Sequence, residues 1–362
     1  MRNTFSDFFP VPKLLRMQPV GLSLTEWGIH VVELVKRGEG LTLGRFGARA
    51  IPTGAIQEGY VHDKQAVIDA LRPLQQELGI EFVSVALPEE KAYLFKTEVP
   101  IIAKDTIREA LELRLEENVP IPSTEAVFDF MVIPHMHEAD HVDVSVSAFP
   151  SKVVLTYLEI VTAAGLIPVS FGIEAAALAR ALIPDGNRGT FMIVSIGETR
   201  TSISIASRGV VQFSTTVPIG GDALTKALEK HFSVDTKEAK KIKEEKGFVK
   251  NRENMQLFFS LMNTVSSIKD EINKLITFWN THRNPPGSVG KTIEKIILCG
   301  RDSSLAGFDE YLGTTIKIPV ETGSVWQNAF MAGEQIPAIS HLDSLDYASA
   351  IGLALPEAMH HV

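Results

Sequence analysis

The sequence FMIVSIGETRTSISIAS, residues 191–207, decides how the rest of the chain is interpreted. An apolar run leads into a polar turn at Gly197, and a second run with alternating polar and apolar residues follows, which predicts a β-hairpin. A tight turn between two strands directs successive backbone N–H groups toward one point and therefore suits a phosphate group. Phosphate-binding hairpins of ATPases usually carry a metal-organising aspartate where this one has Ser195. The first question is therefore whether the hairpin still serves a nucleotide.

The same plan of strand, polar turn and strand occurs earlier, in VGLSLTEWGIHVVEL, residues 20–34. Two similar hairpins about one domain apart predict duplicated halves that face each other across a cleft. Strand and helix patterns alternate along the chain, which is typical of α/β proteins. The predicted fold is therefore α/β and actin-like: two ribonuclease-H-like halves around a cleft, the layout shared by actin, hexokinase and heat-shock chaperones.

Length and composition limit the classes of function. The chain has 362 residues, of which 45% are hydrophobic, enough for about two domain-sized units. Its net charge of −9 argues against a nucleic-acid-binding protein, because such proteins usually carry a basic face. The one cysteine, Cys299, excludes an internal disulfide and fits a reducing, cytosolic compartment. No stretch reaches the roughly 18 uncharged apolar residues expected of a membrane span.

The turn-rich sequence PDGNRG, residues 184–189, marks the boundary between the two halves. Strand and helix patterns before it indicate that a small α+β subdomain is inserted into the first half. The predicted units are an N-terminal segment (1–17), a first half (18–185) with its insert at about 97–168, a second half (186–355) with a charged helical subdomain at about 226–290, and a tail (356–362).

Three glycines extend the predicted phosphate site. Gly220 and Gly221 directly precede a helix, and a helix N-terminus favours anions. Gly300 follows a strand whose end would form the wall beside an adenine ring. Taken singly, each of these glycines fits an ordinary turn or helix cap, so only their order along the chain makes the set specific.

The carboxylates that a magnesium ion needs are missing from both hairpins. Mg²⁺ bound to a triphosphate takes hard oxygen ligands, usually carboxylates or waters held by carboxylates. Ser23 and Ser195 occupy the central positions and offer only neutral hydroxyl groups. Glu26 and Glu198 lie three residues further on, in the turns, where a solvated side chain is the simpler interpretation than a compensating ligand.

Three other features have a simple and a functional interpretation. The His-rich HMHEADH, residues 135–141, lies at a predicted hairpin tip, where alternation would separate its side chains, so we expect a solvated loop and no metal site. The N-terminal segment contains Phe5, Phe8 and Phe9 and is either a tail or a docking element for a membrane surface or a partner. Cys299 is expected to pack in a core.

The order of segments resembles the PilM family of type IV pilus assembly proteins, over nearly the whole chain after about residue 17. No single motif is decisive, and the ordered set carries the resemblance. The matching segments are IREALELRLEENVPIPSTEAVFDFMVI (107–133), GLIPVSFGIEAAALARAL (165–182), VSIGETRTSISIASRGVVQFSTTVPIGGDALTKAL (194–228), VDTKEAKKIKEEKG (234–247), IKDEINKLITFW (268–279), LCGRDSSLAGFDEYL (298–312) and DYASAIGLAL (346–355).

The resemblance implies an actin-like fold with a differently placed insert and ATP with Mg²⁺ in the cleft between the halves. It also implies binding of the cytoplasmic N-terminal peptide of PilN, a single-span membrane protein, near the insert. A family member is a cytoplasmic anchor of the pilus platform, peripheral to the inner membrane through its partners, and not a metabolic enzyme. Other platform proteins and a homo-oligomer are further partners compatible with this role.

This sequence departs from the family at the positions that matter for a nucleotide. The family hairpin resembling GLDIGSSSVK reads GLSLTEWGIH here, which places Thr25 at a glycine, His30 at a lysine and the bulky Trp27 in the turn. We therefore predict a pseudo-ATPase scaffold with weak or absent ATP binding and no catalytic residue. The positions assigned to this degenerate nucleotide site are Gly21, Ser23, Thr25, Glu26, Ser195, Gly197, Glu198, Thr199, Gly220, Gly221, Lys274, Gly300 and Arg301.

Two other classes of function remain open from the sequence. The first is an active actin-like ATPase or sugar kinase, for which a cleft aspartate acting as general base is expected and none is found. The second is a related adaptor. A type II secretion platform protein would continue into a transmembrane helix, and an FtsA-like division protein would end in an amphipathic helix, whereas this sequence ends in EAMHHV.

Overall fold

The computed structural model describes residues 19–38, 40–100, 104–134, 141–282, 292–330 and 336–356. The predicted N-terminal segment, most of the tail and residues 135–140 of the His-rich stretch lie outside these ranges. In chain order the elements are β1 (Val20–Leu24), β2 (Gly28–Arg37), β3 (Gly40–Ala50), β4 (Ile56–Gln57), β5 (Tyr60–Val61), α1 (Lys64–Leu78), β6 (Phe82–Leu87), β7 (Tyr93–Pro100), α2 (Lys104–Asn118), β8 (Ala126–Ile133), β9 (His141–Pro150), α3 (Ser151–Ala163), β10 (Ile167–Ile173), α4 (Glu174–Leu182), β11 (Thr190–Ile196), β12 (Thr201–Ser207), β13 (Val210–Val217), α5 (Gly221–Phe232), α6 (Thr236–Lys246), α7 (Met255–His282), β14 (Lys295–Cys299), α8 (Phe308–Ile316), β15 (Val320–Thr322), α9 (His341–Ser344) and α10 (Ala348–Ala354).

Two five-stranded sheets with the same strand order form the two halves. The first runs β3-β2-β1-β6-β10 and the second runs β13-β12-β11-β14-β15. In each sheet an antiparallel meander of three strands is followed by two parallel strands on the other side of its first strand. The duplicated α/β architecture predicted from the two hairpins is confirmed.

The central strands explain why the two hairpin sequences are so apolar. All five residues of β1 are buried, and β11 is buried along nearly its whole length, because helices or other chain segments cover both faces of each sheet. One core fills the first half, where α1 buries Val67, Leu71 and Leu74, and continues onto one face of the second sheet through Ile193 and Ile297. The other lies in the second half, where α7 buries Ile268, Ile272 and Trp279.

The insert is a three-stranded antiparallel sheet, ordered β7-β9-β8, with α2 packed on one face. Its core includes Phe95, Leu111 and Val146. The helix α3, which the sequence boundary of about 97–168 placed in the insert, packs instead into the core of the first half, through Val153 and Ile160. The apolar stripe of α3 faces the core of the first half, so the separate core of the insert is formed by the segment from β7 to β9.

The other face of the insert sheet approaches the second half. The hydroxyl group of Ser145 on β9 donates a hydrogen bond of 2.6 Å to the carbonyl oxygen of Val211 on β13. The guanidinium group of Arg208 donates to the carbonyl oxygen of Pro134, at 2.8 Å. The insert therefore belongs to the first half by connectivity and contacts both halves. Among the described residues, no helix has the length and apolar character needed to cross a membrane.

Candidate functional site

The turns of the two predicted hairpins lie opposite each other across a cleft between the halves. In the first turn, the backbone N–H and the hydroxyl group of Thr25 both donate to the carbonyl oxygen of Gly28, at 2.9 and 3.0 Å. In the second turn, the N–H of Gly197 donates to the carbonyl oxygen of Arg200, at 2.9 Å. Both turns are thus closed by their own hydrogen bonds. The cavity that they line has a volume of about 90 Å³.

The side chain of Glu26 crosses this cleft and joins the two turns. One of its carboxylate oxygens accepts a hydrogen bond from the hydroxyl group of Thr199. The other accepts from the guanidinium group of Arg200 at 2.7 Å and from the backbone N–H of Glu58 at 2.7 Å. A carboxylate of the first half therefore takes the donors that the second half directs into the cleft.

Arg200 also contacts a second carboxylate of the first half. Its guanidinium group lies 3.3 Å from an oxygen of Glu90, which follows β6 in a short 3₁₀ turn. Burial raises the pKa of Glu90, the nearby charge of Glu26 raises it further, and the guanidinium group of Arg200 opposes both effects. One cation thus lies between two carboxylates, and all three side chains are mostly buried.

Further acidic groups surround this bridge. Glu174, the first residue of α4, also lines the cavity, and burial together with the charges of Glu90 and Glu89 raises its pKa to about 8. Burial raises the pKa of Glu89 too, although one of its oxygens accepts a hydrogen bond of 2.9 Å from the N–H of Ala175. The buried side chain of Tyr157 on α3 lines the same cavity, and its hydroxyl group has no hydrogen-bond partner among the described residues. The electrostatic environment of the cleft is acidic.

The N-terminus of α5 is closed by the second hairpin. The N–H of Gly221 donates to the carbonyl oxygen of Gly197 at 2.9 Å, and the N–H of Asp222 donates to that of Glu198 at 2.7 Å. A side chain at Gly220 would collide with the same turn, since its Cβ would lie 2.4 Å from the carbonyl oxygen of Glu198. The close contact that the glycines allow is therefore with the hairpin backbone, and these two N–H groups are not available to an anion.

Two ion pairs connect α6 to neighbouring segments of the second half. A side-chain oxygen of Asp302 lies 2.5 Å from the ammonium group of Lys243, which also contacts the hydroxyl group of Thr225 at 3.2 Å. Glu198 pairs with Lys240 on the same helix, α6, at 2.8 Å. The charged helix α6 is thus attached to the hairpin turn through Lys240 and to the turn after β14 through Lys243.

The sequence of this chain matches one known protein family over most of its length. The sequence profile of the family described as type IV pilus assembly protein PilM matches residues 21–358. The chain belongs to the PilM family. It is a type IV pilus assembly protein with an actin-like fold.

Solved structures show how far this fold is shared. A chain of a PilM–PilN type IV pilus biogenesis complex is 22% identical and superposes with a TM-score of 0.76, covering 94% of this chain and 98% of that one. The ethanolamine utilization protein EutJ from Carboxydothermus hydrogenoformans is 18% identical, with a TM-score of 0.54 and coverages of 93% and 89%. MreB5 of Spiroplasma citri, bound to ADP, is 15% identical, with a TM-score of 0.52 and coverages of 86% and 93%. At these identities the likeness concerns the fold alone.

In this PilM-family chain, the two serines that replace aspartates differ in position: Ser23 is buried, whereas Ser195 is half-buried and lines the cleft cavity. Ser23 is buried on β1 and is paired in register with His30 on β2. Burial and the charge of Arg301 lower the pKa of His30 to about 4, so this imidazole is neutral near pH 7. Ser195 is paired in register with Cys299 and hydrogen-bonds to its thiol, whose pKa is raised to about 12, chiefly by burial. The predicted core position of Cys299 is confirmed.

The remaining predicted positions are only partly brought together. Gly21 packs its backbone against α10, where a Cβ would lie 1.8 Å from the carbonyl oxygen of Ala350. Gly300 has a φ of 82° and contacts the end of β11, which only a glycine does without strain. Arg301 lies 3.5 Å from Asp346. Lys274 is exposed on α7, pairs with Glu271 and does not line the cleft cavity.

Sequence reasoning missed four residues of the cleft. Arg200 could have been identified from the local sequence, because it follows Thr199 in the second turn and is the only basic residue in either hairpin turn. Glu174 had a weaker local signal, an isolated acid at the start of an alanine-rich helix. Glu90 and Tyr157 had none, because they come from segments far apart in sequence that only the fold brings to the cavity.

The cleft carboxylates do not form a compact set of metal ligands. Within the described ranges, one group of His, Cys, Asp and Glu side chains has three ligand atoms close to one another, and it lies in the insert: Glu98, His141 and Asp143. The expectation of no metal site was based on the loop before β9. The local sequence could not reveal that Glu98 joins His141 and Asp143, because Glu98 lies on β7, more than 40 residues earlier.

Proposed function

We propose that this chain is a scaffold of the type IV pilus assembly platform that has lost ATP binding and hydrolysis and binds the cytoplasmic N-terminal peptide of a PilN-like single-span protein. In this role it lies at the cytoplasmic face of the inner membrane through that partner. The observation that carries the loss of ATP is the Glu26 side chain, which bonds both Thr199 and Arg200 across the cleft.

The donor arrangement fits an internal carboxylate better than a phosphate. A hydroxyl and a guanidinium group are typical phosphate ligands, and both are already bonded to Glu26. A phosphate group entering here must displace the Glu26 carboxylate from Arg200 and then lie close to its negative charge and beside the acidic side chain of Glu90. The N-terminus of α5, the other natural phosphate ligand, is closed by the hairpin carbonyl groups.

Magnesium would not remove this difficulty. The two central hairpin positions carry the neutral hydroxyl groups of Ser23 and Ser195, and Ser23 is buried. A cavity of about 90 Å³ also falls well below the roughly 300–1,000 Å³ of small-molecule sites. These residues therefore do not fit Mg-ATP, and we derive no catalytic step from the cleft.

Calorimetry with Mg-ATP tests this part of the proposal. We expect no heat of binding for the wild-type chain and no release of phosphate. Glu26→Ala frees Thr199 and Arg200 and removes one negative charge, so this variant should bind a triphosphate more tightly than the wild type does. Glu33→Ala is the matched control, because Glu33 lies on the same hairpin but pairs with Arg45. Micromolar binding of Mg-ATP by the wild type would refute the loss of ATP.

The partner surface that we propose lies between the insert and the first half. β8 is an outer strand of the insert sheet, and its free edge has no strand partner among the described residues. Val127 and Met131 on β8 are 46% and 43% exposed, and α3 contacts this strand. Leu155 and Leu158 on α3 are 59% and 38% exposed. We call these four residues the junction surface.

An extended peptide with apolar anchors suits the junction surface. A free strand edge offers backbone hydrogen bonds to an added strand, while apolar side chains beside it select the residues of that strand. A complex of PilM with PilN has been solved on the same fold, which supports a PilN-like partner for this chain. Other platform proteins and a second copy of this chain are further partners of the proposed scaffold.

Binding of a synthetic peptide tests the partner. The peptide should carry the first dozen residues of the PilN-like protein encoded beside this chain. We expect binding to the wild type and at least a tenfold loss for Met131→Asp and for Leu155→Asp, because each places a charge on the apolar surface. Phe259→Asp is the control, since Phe259 is 62% exposed on α7 of the second half. Absence of peptide binding by the wild type, or binding by both junction variants as tight as that of the wild type, would refute this assignment.

A further inference from the structure

Three side chains of metal-ligand type share one face of the insert sheet. On β7 and β9, which pair antiparallel, Glu98 lies opposite Asp143 and Pro100 lies opposite His141. His141 and Asp143 are two residues apart on one strand, so their side chains point to the same face, and Glu98 joins them from the neighbouring strand. Pairing of the two strands, rather than a flexible loop, sets this arrangement.

The distances suit a common ligand. The Nε2 atom of His141 lies 3.9 Å from a carboxylate oxygen of Glu98 and 3.8 Å from one of Asp143. All three ligand atoms lie within 4.8 Å of one another. Ligands held at roughly 2.0–2.2 Å by a tetrahedral ion are about 3.4 Å apart, so small side-chain rotations would complete the geometry.

A fourth side chain orients the buried member of the group. The ammonium group of Lys96 lies 2.6 Å from the Oδ2 atom of Asp143, whose Oδ1 atom is the one near His141. A ligand carboxylate held by a neighbouring group in this way is typical of metal sites. With a neutral imidazole, the two carboxylates and Lys96 sum to one negative charge, which attracts a cation. Glu98 is exposed and His141 is half-buried, so the solvent side is open to an entering ion.

We propose that Glu98, His141 and Asp143 bind a divalent transition-metal ion of the Zn²⁺ class, with water completing its coordination. The imidazole nitrogen decides the class, since Mg²⁺ and Ca²⁺ prefer oxygen ligands alone whereas Zn²⁺ accepts nitrogen together with carboxylates. The ion would connect β7 to β9, the central strand of the insert. This site is separate from the cleft and does not depend on the proposed loss of ATP or on the partner peptide.

Titration calorimetry of the full chain with ZnCl₂ tests the site. We expect saturable binding of one Zn²⁺ and at least a tenfold weaker affinity for His141→Ala and for Glu98→Gln. Glu98→Gln keeps the size of an exposed side chain, so a lost site is not confused with a lost fold. His62→Ala is the control, because His62 is an exposed histidine of the first half that lies outside the group.

Two outcomes would overturn the proposal. The first is no Zn²⁺ binding by the wild type, which would leave the group as a histidine flanked by two carboxylates. The second is binding that survives both His141→Ala and Glu98→Gln, which would assign the ion to other side chains, His135 and His137 among them. Ca²⁺ in place of Zn²⁺ should give no comparable binding, and equal binding of both ions would contradict the stated metal class.

Discussion

Glu174 shows how a single residue adapts to the cleft. The side chain lies at the start of α4 and faces the cavity, where burial and the charges of Glu90 and Glu89 raise its pKa from 4.5 to about 8. Near pH 7 the folded protein therefore holds a proton on Glu174 that the unfolded chain releases. Because the unfolded state binds fewer protons, stability contributed by this group falls as the pH rises from about 4.5 to about 8.

Glu174→Gln tests this statement. The amide cannot ionise, so we expect the variant to lose less stability than the wild type between pH 5 and pH 8. At pH 8 the free energy of unfolding of Glu174→Gln should exceed that of the wild type by at least about 1.4 kcal/mol, the equivalent of one pKa unit. Urea unfolding at both pH values measures the difference. Glu159→Gln, on an exposed carboxylate of α3, should leave the pH dependence unchanged, and a wild-type slope in Glu174→Gln would contradict the assignment.

At single positions the sequence shows that the metal-binding aspartates are missing, but it does not show which contacts the neighbouring side chains make instead. Ser23 and Ser195 were recognised as substitutions from sequence alone, because each stands at a fixed position in a hairpin pattern. The sequence predicts solvated side chains for the turn glutamates, whereas in the structure Glu26 pairs with Arg200 and Glu198 pairs with Lys240. Such pairs join residues 42 to 174 positions apart, and no local pattern reports them.

Among the elements, the junction of the second hairpin with α5 is the most constrained. A Cβ at Gly221 would lie 1.8 Å from a side-chain oxygen of Asp302, which is held in place by Lys243. The helix therefore starts against a buried ion pair on one side and against the hairpin turn on the other. The glycine pair that resembles an anion site is required by this packing.

Gly221→Ala should therefore destabilise the protein by about 2–3 kcal/mol, the upper part of the range for overpacking. Gly313→Ala is the matched control. It lies within α8, its Cβ would meet no atom closer than 3.8 Å, and alanine is favoured in helices by roughly 0.5–1 kcal/mol. Thermal or urea unfolding of both variants makes the comparison. If Gly221→Ala leaves the free energy of unfolding unchanged, Asp302 moves aside without cost and the prediction is wrong.

Most elements were predictable because their periodicity is strong. β1, β11 and β14 are apolar runs of central strands, and α1 and α7 carry apolar residues at helical spacing. The insert boundary was less predictable, since the stripe of α3 is equally apolar whichever core it faces. Periodicity defines a buried face, and only the tertiary structure decides which core receives it.

On the scale of the whole molecule, the two halves are joined by polar contacts as well as by chain connections. Arg200 of the second half contacts Glu26 and Glu90 of the first, and Ser145 of the insert contacts Val211 of the second. Glu89 adds a hydrogen bond to Ser214 on β13. These contacts hold the cleft closed around an acidic interior.

Arg200→Met should weaken this connection. The change leaves two largely buried carboxylates facing each other without their cation, so we expect a loss of about 3 kcal/mol, the lower end of the range for breaking a buried ion pair. Arg49→Met removes a pair with Glu77 that is exposed and should cost less than about 1 kcal/mol. Urea unfolding followed by a signal from each half measures both effects. If the two variants cost the same, the cleft bridge contributes little to stability.

The position of Cys299 gives the molecule a chemical reporter of its own motion. The chain has one thiol, fully buried at the end of β14 in the core that the second sheet shares with the first half, and its raised pKa keeps it protonated near neutral pH. A thiol reagent can modify it only after the core around Cys299 has opened, so the labelling rate measures that opening without any added probe. If labelling proceeds faster than global unfolding, the shared core opens locally around Cys299; if the two rates agree, the thiol is exposed only when the whole molecule unfolds.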